Sequence, residues 1–238
     1  MSLEERVAVI TGATGGLGST LARELATHGA KLALLGKDPD KLDSQVRSLS
    51  LPVERTFTQT VDLLDLALAK SAAAAILAKF GRIDILLHVV GGWTGGKALV
   101  ELPAEDLESM LNQHVWTTFN VIQAFVPALI NNGWGRVAMI TSPFASRPHA
   151  KGGPYAVGKA GQEALMQTLS QELIGTGVTA NLLQAKTIDI KREKVSALST
   201  ENATWTTPEE LTAAVLYLLS DEAATINGAK LPLFGSYS

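Results

Sequence analysis

Thr11-Gly12-Ala13-Thr14-Gly15-Gly16-Leu17-Gly18 joins a short apolar run, Val7–Thr11, to an amphipathic stretch, Leu17–His28. Three of its glycines, Gly12, Gly16 and Gly18, follow the spacing Gly-x₃-Gly-x-Gly. Glycines so placed let a chain turn sharply from strand into helix. They also let its backbone approach a pyrophosphate, whose charge the helix N-terminus stabilises. The spacing differs from the Gly-x-Gly-x-x-Gly of the common dinucleotide fingerprint. Taken alone, the loop also reads as a tight strand-to-helix turn that binds nothing.

Outward from this loop the pattern repeats. Val7–Thr11, Lys31–Gly36, Ile83–Val90, Arg136–Thr141 and Val178–Gln184 are short runs rich in Val, Ile, Leu and Ala, apolar on both faces. Such runs fit strands buried in a parallel sheet. Pro52–Val61 is a weaker strand, expected nearer an edge, and Ala229–Phe234 closes the chain. Helical stretches fall between them: Leu17–His28, Pro39–Leu49, Leu63–Phe80, Ala104–Asn131, Tyr155–Gly175 and Pro208–Ser220. Asp38-Pro39 reads as an N-cap followed by proline at the first helical position. Gly29 and Gly81 read as helix stops. Repeated β-α-β units with short, right-handed connections predict an α/β fold: a Rossmann-like, doubly wound parallel sheet of about seven strands with helices on both faces. The crevice beyond the carboxyl ends of the strands is then the binding site. No linker or repeat interrupts the pattern, so residues 1–238 read as a single domain.

Composition removes several function classes. With no cysteine in 238 residues, disulfides, thiol nucleophiles and Cys-ligated metals are excluded, which fits a cytoplasmic, reducing setting. A net charge of −3 gives no basic footprint for nucleic acid. The four histidines, His28, His88, His114 and His149, lack ligand spacing, so no metal is expected. The longest uncharged stretch, Val115–Gly135, carries Asn120, Gln123, Pro127, Asn131 and Asn132, too polar for a membrane span. The acidic N-terminus, Met1–Arg6, argues against a secretory signal.

Two further positions bear on chemistry. At the end of the second strand, where a carboxylate would read a ribose 2′-hydroxyl, the chain has Gly36-Lys37-Asp38. Gly36 leaves space and Lys37 offers charge to a 2′-phosphate, which favours NADP, with NAD as the alternative; a solvated surface lysine is the plainer reading. Later, Tyr155-Ala-Val-Gly-Lys159 places phenol and ammonium on one helix face. Ser142, at the end of a strand, precedes Tyr155 across a Pro/Gly-punctuated loop.

Together these residues resemble a classical short-chain dehydrogenase/reductase over nearly the whole chain. The matches are Thr11-Gly12-x₃-Gly16-x-Gly18, Asp62 after the third strand, Ser142, Tyr155 and Lys159. The resemblance implies hydride transfer between a nicotinamide cofactor and a carbonyl or alcohol, a small-molecule substrate. It implies Tyr155 as general acid/base, Lys159 holding the nicotinamide ribose and lowering the tyrosine pKa, and Ser142 bonding the substrate oxygen. An ammonium about 5 Å away at an effective dielectric of 20 would favour the phenolate by roughly 3 kcal/mol. Cofactor contacts carry over to Gly12, Thr14, Gly16, Leu17, Gly18, Lys37, Asp62, Leu63, Val90, Gly91 and Ile188, with Asp62 at the adenine. Phe144 and Trp93 are candidate substrate contacts, and equally candidate packing residues, as is Trp205.

Three departures mark the chain. His88-Val89-Val90-Gly91 stands where the family has Asn-Asn-Ala-Gly, with His88 read as a core residue. His114 stands at the asparagine of the family's catalytic tetrad and is read as a pH-sensitive relay, or as a tolerated loss. Ala185-Lys186 replaces Pro-Gly before a lid candidate at 186–207. The leading expectation is an NADP-dependent oxidoreductase. The alternative is a catalytically impaired relative that binds a nucleotide or partner for regulation. The apolar helix around Val115–Leu129 suits a homodimer or homotetramer interface, or simply packs on the sheet.

Overall fold

The computed structural model describes residues 2–234. Seven strands form one parallel sheet: β1 (Val7–Thr11), β2 (Lys31–Gly36), β3 (Thr56–Thr60), β4 (Ile85–His88), β5 (Gly135–Thr141), β6 (Val178–Gln184) and β7 (Lys230–Pro232). Their order is β3-β2-β1-β4-β5-β6-β7. The chain therefore reverses its direction of travel between β1 and β4, where Thr11 lies beside His88 in register. That switch point opens the crevice between the carboxyl ends of these two strands.

Successive residues of each strand feed two cores. Val7 and Val9 of β1 and Ala33 and Leu35 of β2 face one layer, with α3 (Leu66–Phe80), α5 (Thr117–Asn131) and α6 (Gly153–Glu172). Ala8, Ile10, Leu32 and Leu34 face the other, with α1 (Gly16–Thr27) and α8 (Pro208–Leu219). Burial on both sides is why these strands read as unbroken apolar runs. The edge strand β3, Thr-Phe-Thr-Gln-Thr, is mostly half-buried. It is shorter than the expected Pro52–Val61 because Val53–Arg55 forms a single helical turn ahead of it.

Helix signals act where the sequence puts them. Asp38 Oδ1 accepts from Lys41 N at 3.1 Å, capping α2 (Pro39–Leu49). The third helix starts three residues later than expected, because Asp65 Oδ1 accepts from the backbone of Ala67 and Leu68 at 2.8 and 3.1 Å. The largest local correction lies in Ala104–Asn131, expected as one regular helix. It consists of α4 (Ala104–Met110), a π-helical segment over Leu111–Trp116, and α5. After β6 the chain runs over the crevice side. There Ile188 bridges Thr206, and buried Asp189 accepts from Glu193 N and Lys194 N, capping the short α7 (Glu193–Ser196). Among the described residues no helix is long and apolar enough to cross a membrane, and no His/Cys/Asp/Glu group could hold a metal.

Candidate active site

The phosphate loop leaves β1 with Gly12 at φ +71°, a conformation glycine adopts without strain. A Cβ on Gly12 would come within 3.1 Å of the Val89–Val90 peptide, so β1 and β4 approach closely here. Gly18 is required for a different reason: its Cβ would stand 2.3 Å from Gly12 O and 2.8 Å from Ala13 Cα. Helix α1 begins at Gly16, and its N-cap, Gly15, has no side chain to bond the free N–H groups. Those donors and the helix dipole suit a bound anion.

A cavity of about 670 Å³ adjoins the loop, lined by Gly12, Thr14, Lys37, Leu63, Val90 and Gly91 among the expected contacts. That volume is in the range of small-molecule sites. Leu17 and Gly18, also expected contacts, are buried in the first turn of α1, Leu17 within the core that holds Leu21. Asp62 lies off the wall on an exposed turn, accepting from Leu64 N and pairing with Lys37 at 3.1 Å. Both interactions hold its carboxyl below the usual range. Gly16 is covered: a Cβ there would fall 2.7 Å from Ile190 Cγ2. Ile188 packs against the core from the same strap. Phe144 packs edge-on to His149 at 4.5 Å, and Trp93 is exposed; neither lines the cavity.

Beyond the cavity, at the ends of β4 and β5, stand the titratable residues. Ser142 is fully buried; its Oγ accepts from Phe144 N at 3.3 Å, and its hydroxyl faces the Tyr155 phenol. Burial pushes the phenol pKa up, and the Ser142 hydroxyl only partly opposes it. Lys159, which the family resemblance gives as lowering the phenol pKa, is not among the causes of this shift. The Lys159 amine lies 5.9 Å from the Tyr155 ring centroid but donates elsewhere, to Ile140 O at 2.8 Å and Gln162 Oε1 at 2.9 Å. Its own pKa is pulled down to about 7 by desolvation, with Glu163 opposing.

His114 sits in the π-helical segment. Its Nε2 donates to Gly92 O at 3.1 Å, and its ring meets Tyr155 edge-on at 5.5 Å. Nδ1 is buried without a partner. Burial and nearby Lys159 hold its pKa near 3, so the imidazole is neutral at working pH. His88 is fully buried and also held near pKa 3, chiefly by desolvation. Thr117 gives its proton to Gln113 O at 2.6 Å, so its hydroxyl accepts from His88 Nε2 at 3.4 Å. The Thr11 hydroxyl then donates to Nδ1 at 2.7 Å.

A glycine turn at β1, a cavity at the switch point, and a Ser–Tyr–Lys set beside it form one crevice. The family model for short chain dehydrogenase matches residues 6–198. The chain belongs to the short-chain dehydrogenase/reductase family. It is 30% identical to a D-threitol dehydrogenase of Mycolicibacterium smegmatis, over 99% of this chain and 94% of that one. A 3-oxoacyl-[acyl-carrier-protein] reductase of Thermotoga maritima is 27% identical over 99% and 98%. A short-chain type dehydrogenase/reductase structure from Mycobacterium ulcerans superposes with a TM-score of 0.89 at 25% identity, covering 98% of this chain and 90% of that one. Oxidoreductases of this family use NAD(H) or NADP(H), and the turn at Gly12 and Gly15 fits the pyrophosphate of either.

Several site residues escaped the sequence reading. Glu105, Glu108, Ser109 and Asn112 line the cavity from one face of α4 and its continuation. Their 3-1-3 spacing was a legible helical stripe. Gln162 and Glu163, three and four residues after Lys159, share its helix face and were equally open to reading. Glu163 is buried and accepts from Thr141 Oγ1 at 2.9 Å and Lys230 Nζ at 2.6 Å.

Proposed function

We propose that this dehydrogenase/reductase transfers a hydride between NADP(H) and a carbonyl or alcohol substrate, with Tyr155 as the general acid/base. One observation carries the reading: the buried Ser142 hydroxyl and the Tyr155 phenol face each other at the mouth of the crevice, with the Lys159 amine 5.9 Å from the phenol ring centroid. The Ser142 hydroxyl is suited to orient a substrate oxygen next to the phenol that gives or takes its proton. Gly12, Thr14, Gly15, Val90 and Gly91 would hold the nucleotide, and Lys159 would approach its ribose. When bound, the nicotinamide supplies or accepts the hydride. Neutral His114, with Nδ1 free to accept, can pass a proton beside Tyr155.

The preference for NADP over NAD rests on Lys37 at the cavity wall and on the absence of a carboxylate at Gly36 or Lys37. The other acid here, Asp38, is used as a helix cap. Asp62 shares the Lys37 charge, which keeps NAD as the alternative. Residues 1–238 are read as one cytoplasmic domain, with 186–207 as a substrate lid. The exposed Trp116 and Phe119 support a homodimer or homotetramer, which sizing in solution would test.

Isothermal titration with NADPH and NADH, followed by a carbonyl panel read by NADPH absorbance, tests the reading. Tighter NADPH binding and turnover that Tyr155→Phe abolishes are expected; failure to bind either nucleotide overturns it. A second reading is a catalytically impaired regulatory relative. It is favoured by the raised phenol pKa and by Ile190 covering Gly16. Nucleotide binding with no turnover across the panel would support it.

A further inference from the structure

The Lys159 amine is 4% exposed at the residue level and enters the site from beneath. Besides the Ile140 carbonyl, its recorded acceptor is Gln162 Oε1, and Gln162 is fully buried. The far end of that amide is anchored: Gln162 Nε2 donates to Thr118 Oγ1 at 3.1 Å, on α5. An ammonium can only donate, so the amide oxygen must face Lys159 and the amide nitrogen must face Thr118. The ammonium thus sets the orientation of Gln162, and Thr118 on a second helix holds its far end.

The charged and titratable groups around the amine come from every packed element. Tyr155 and Glu163 lie on its own helix, His88 ends β4, and His114 lies in the π-helical segment; Lys230 of β7 is bonded to Glu163. Both histidines are neutral at working pH. The Glu163 carboxylate is turned to Thr141, Gln184 and Lys230. Neutral oxygens from Ile140 and Gln162 are what meet the amine directly.

We propose that Gln162 is a positioning residue, whose Thr118-anchored amide holds the Lys159 amine beneath Tyr155 and sets its protonation. The inference rests on the reading of Lys159 as a working residue of the oxidoreductase site. A neutral acceptor favours the ammonium without trapping it in an ion pair. A carboxylate in its place would lock the charge on, and an apolar side chain would remove half of the amine's direct support. The Thr118 hydroxyl can turn from acceptor to donor, so Gln162→Glu keeps its anchor.

The test is a pH titration of the Lys159 signal by NMR in lysine-labelled full-length protein, with the signal assigned by its loss in Lys159→Met. Gln162→Glu should raise the Lys159 midpoint by more than about one pH unit, and Gln162→Leu should lower it. In the pH profile of kcat/KM the limb set by Lys159 should move with it. Gln162→Leu should lower kcat roughly tenfold while the nucleotide KM changes little. Unchanged Lys159 midpoints in both variants, with native circular dichroism, would overturn the proposal. If wild type turns over no carbonyl compound, the activity reading fails, and the NMR midpoints still decide the role of Gln162.

Discussion

At the nucleotide end of the crevice the backbone makes the site, and at the proton end side chains do. The phosphate loop offers free N–H groups, a left-handed turn at Gly12 and a helix dipole, all close to solvent. Around Tyr155, by contrast, Ser142, His88, His114, Thr118 and Gln162 are all fully buried, and almost every polar atom has one assigned partner. A backbone site tolerates changes in side chains as long as glycine remains. A buried side-chain network is changed by each substitution, because an unpaired polar group inside the protein costs as much as or more than the bond it lost.

The largest effect should come from the proton end. Tyr155→Phe should lower turnover by roughly 10³-fold, the scale of general acid/base catalysis, while NADPH affinity measured by titration stays nearly constant. Retained turnover would place the proton chemistry elsewhere. At the nucleotide end, Gly18→Ala is the matching break. Its new Cβ would collide with Gly12 O, so the loop must shift. We expect nucleotide binding to be lost and stability to fall by about 2 kcal/mol, read by titration and denaturant melts.

The two buried imidazoles sharpen the contrast within the proton end. His88→Ala removes a fully buried ring that bridges Thr11 and Thr117 and should cost about 3 kcal/mol in stability. His114→Ala should cost somewhat less, about 2 kcal/mol, since its ring is equally buried but one ring nitrogen has no bond to lose, yet it should collapse turnover with nucleotide binding intact. Unchanged turnover in that variant would remove His114 from the relay.

A pH slope completes the comparison. Both imidazoles titrate near 3 in the folded chain against about 6.5 when unfolded. Between those values the unfolded chain binds more protons, so stability falls as pH drops from 6.5 toward 3. Each histidine contributes roughly 1.4 kcal/mol per pH unit. Lys159 acts at the other side of neutrality. Its folded value of about 7 lies below its ordinary one, so stability rises with pH above 7 until the unfolded amine also loses its proton. Lys159→Met should flatten that rise in chemical melts and also narrow the acid limb, because its charge helps hold both imidazoles down.

How much of this could be read beforehand follows the same division. Strands buried on both faces announce themselves as apolar runs, and β6 matches the expected Val178–Gln184 residue for residue. Glycine spacing located the turn, and Tyr155 and Lys159 were visible because helix periodicity puts i and i+4 together. What holds the Lys159 amine was not visible. Ile140 and Thr118 lie far from it along the chain, and only the packing of β5 and α5 against α6 brings them there. The desolvation that pushes the Tyr155 phenol up was hidden for the same reason, since only the packed structure reveals it.

The π-helical segment at Leu111–Trp116 also left no mark on the apolar pattern, since the residues on either side keep their helical faces. A π turn holds about one residue more than an α turn of similar rise. In terms of chain length, His114 reaches Gly92 because this helix carries a surplus residue. A one-residue deletion inside Leu111–Trp116 could therefore close a regular helix and leave both flanking faces in place, while withdrawing the imidazole from the crevice. Length variation here would edit the site and spare the fold.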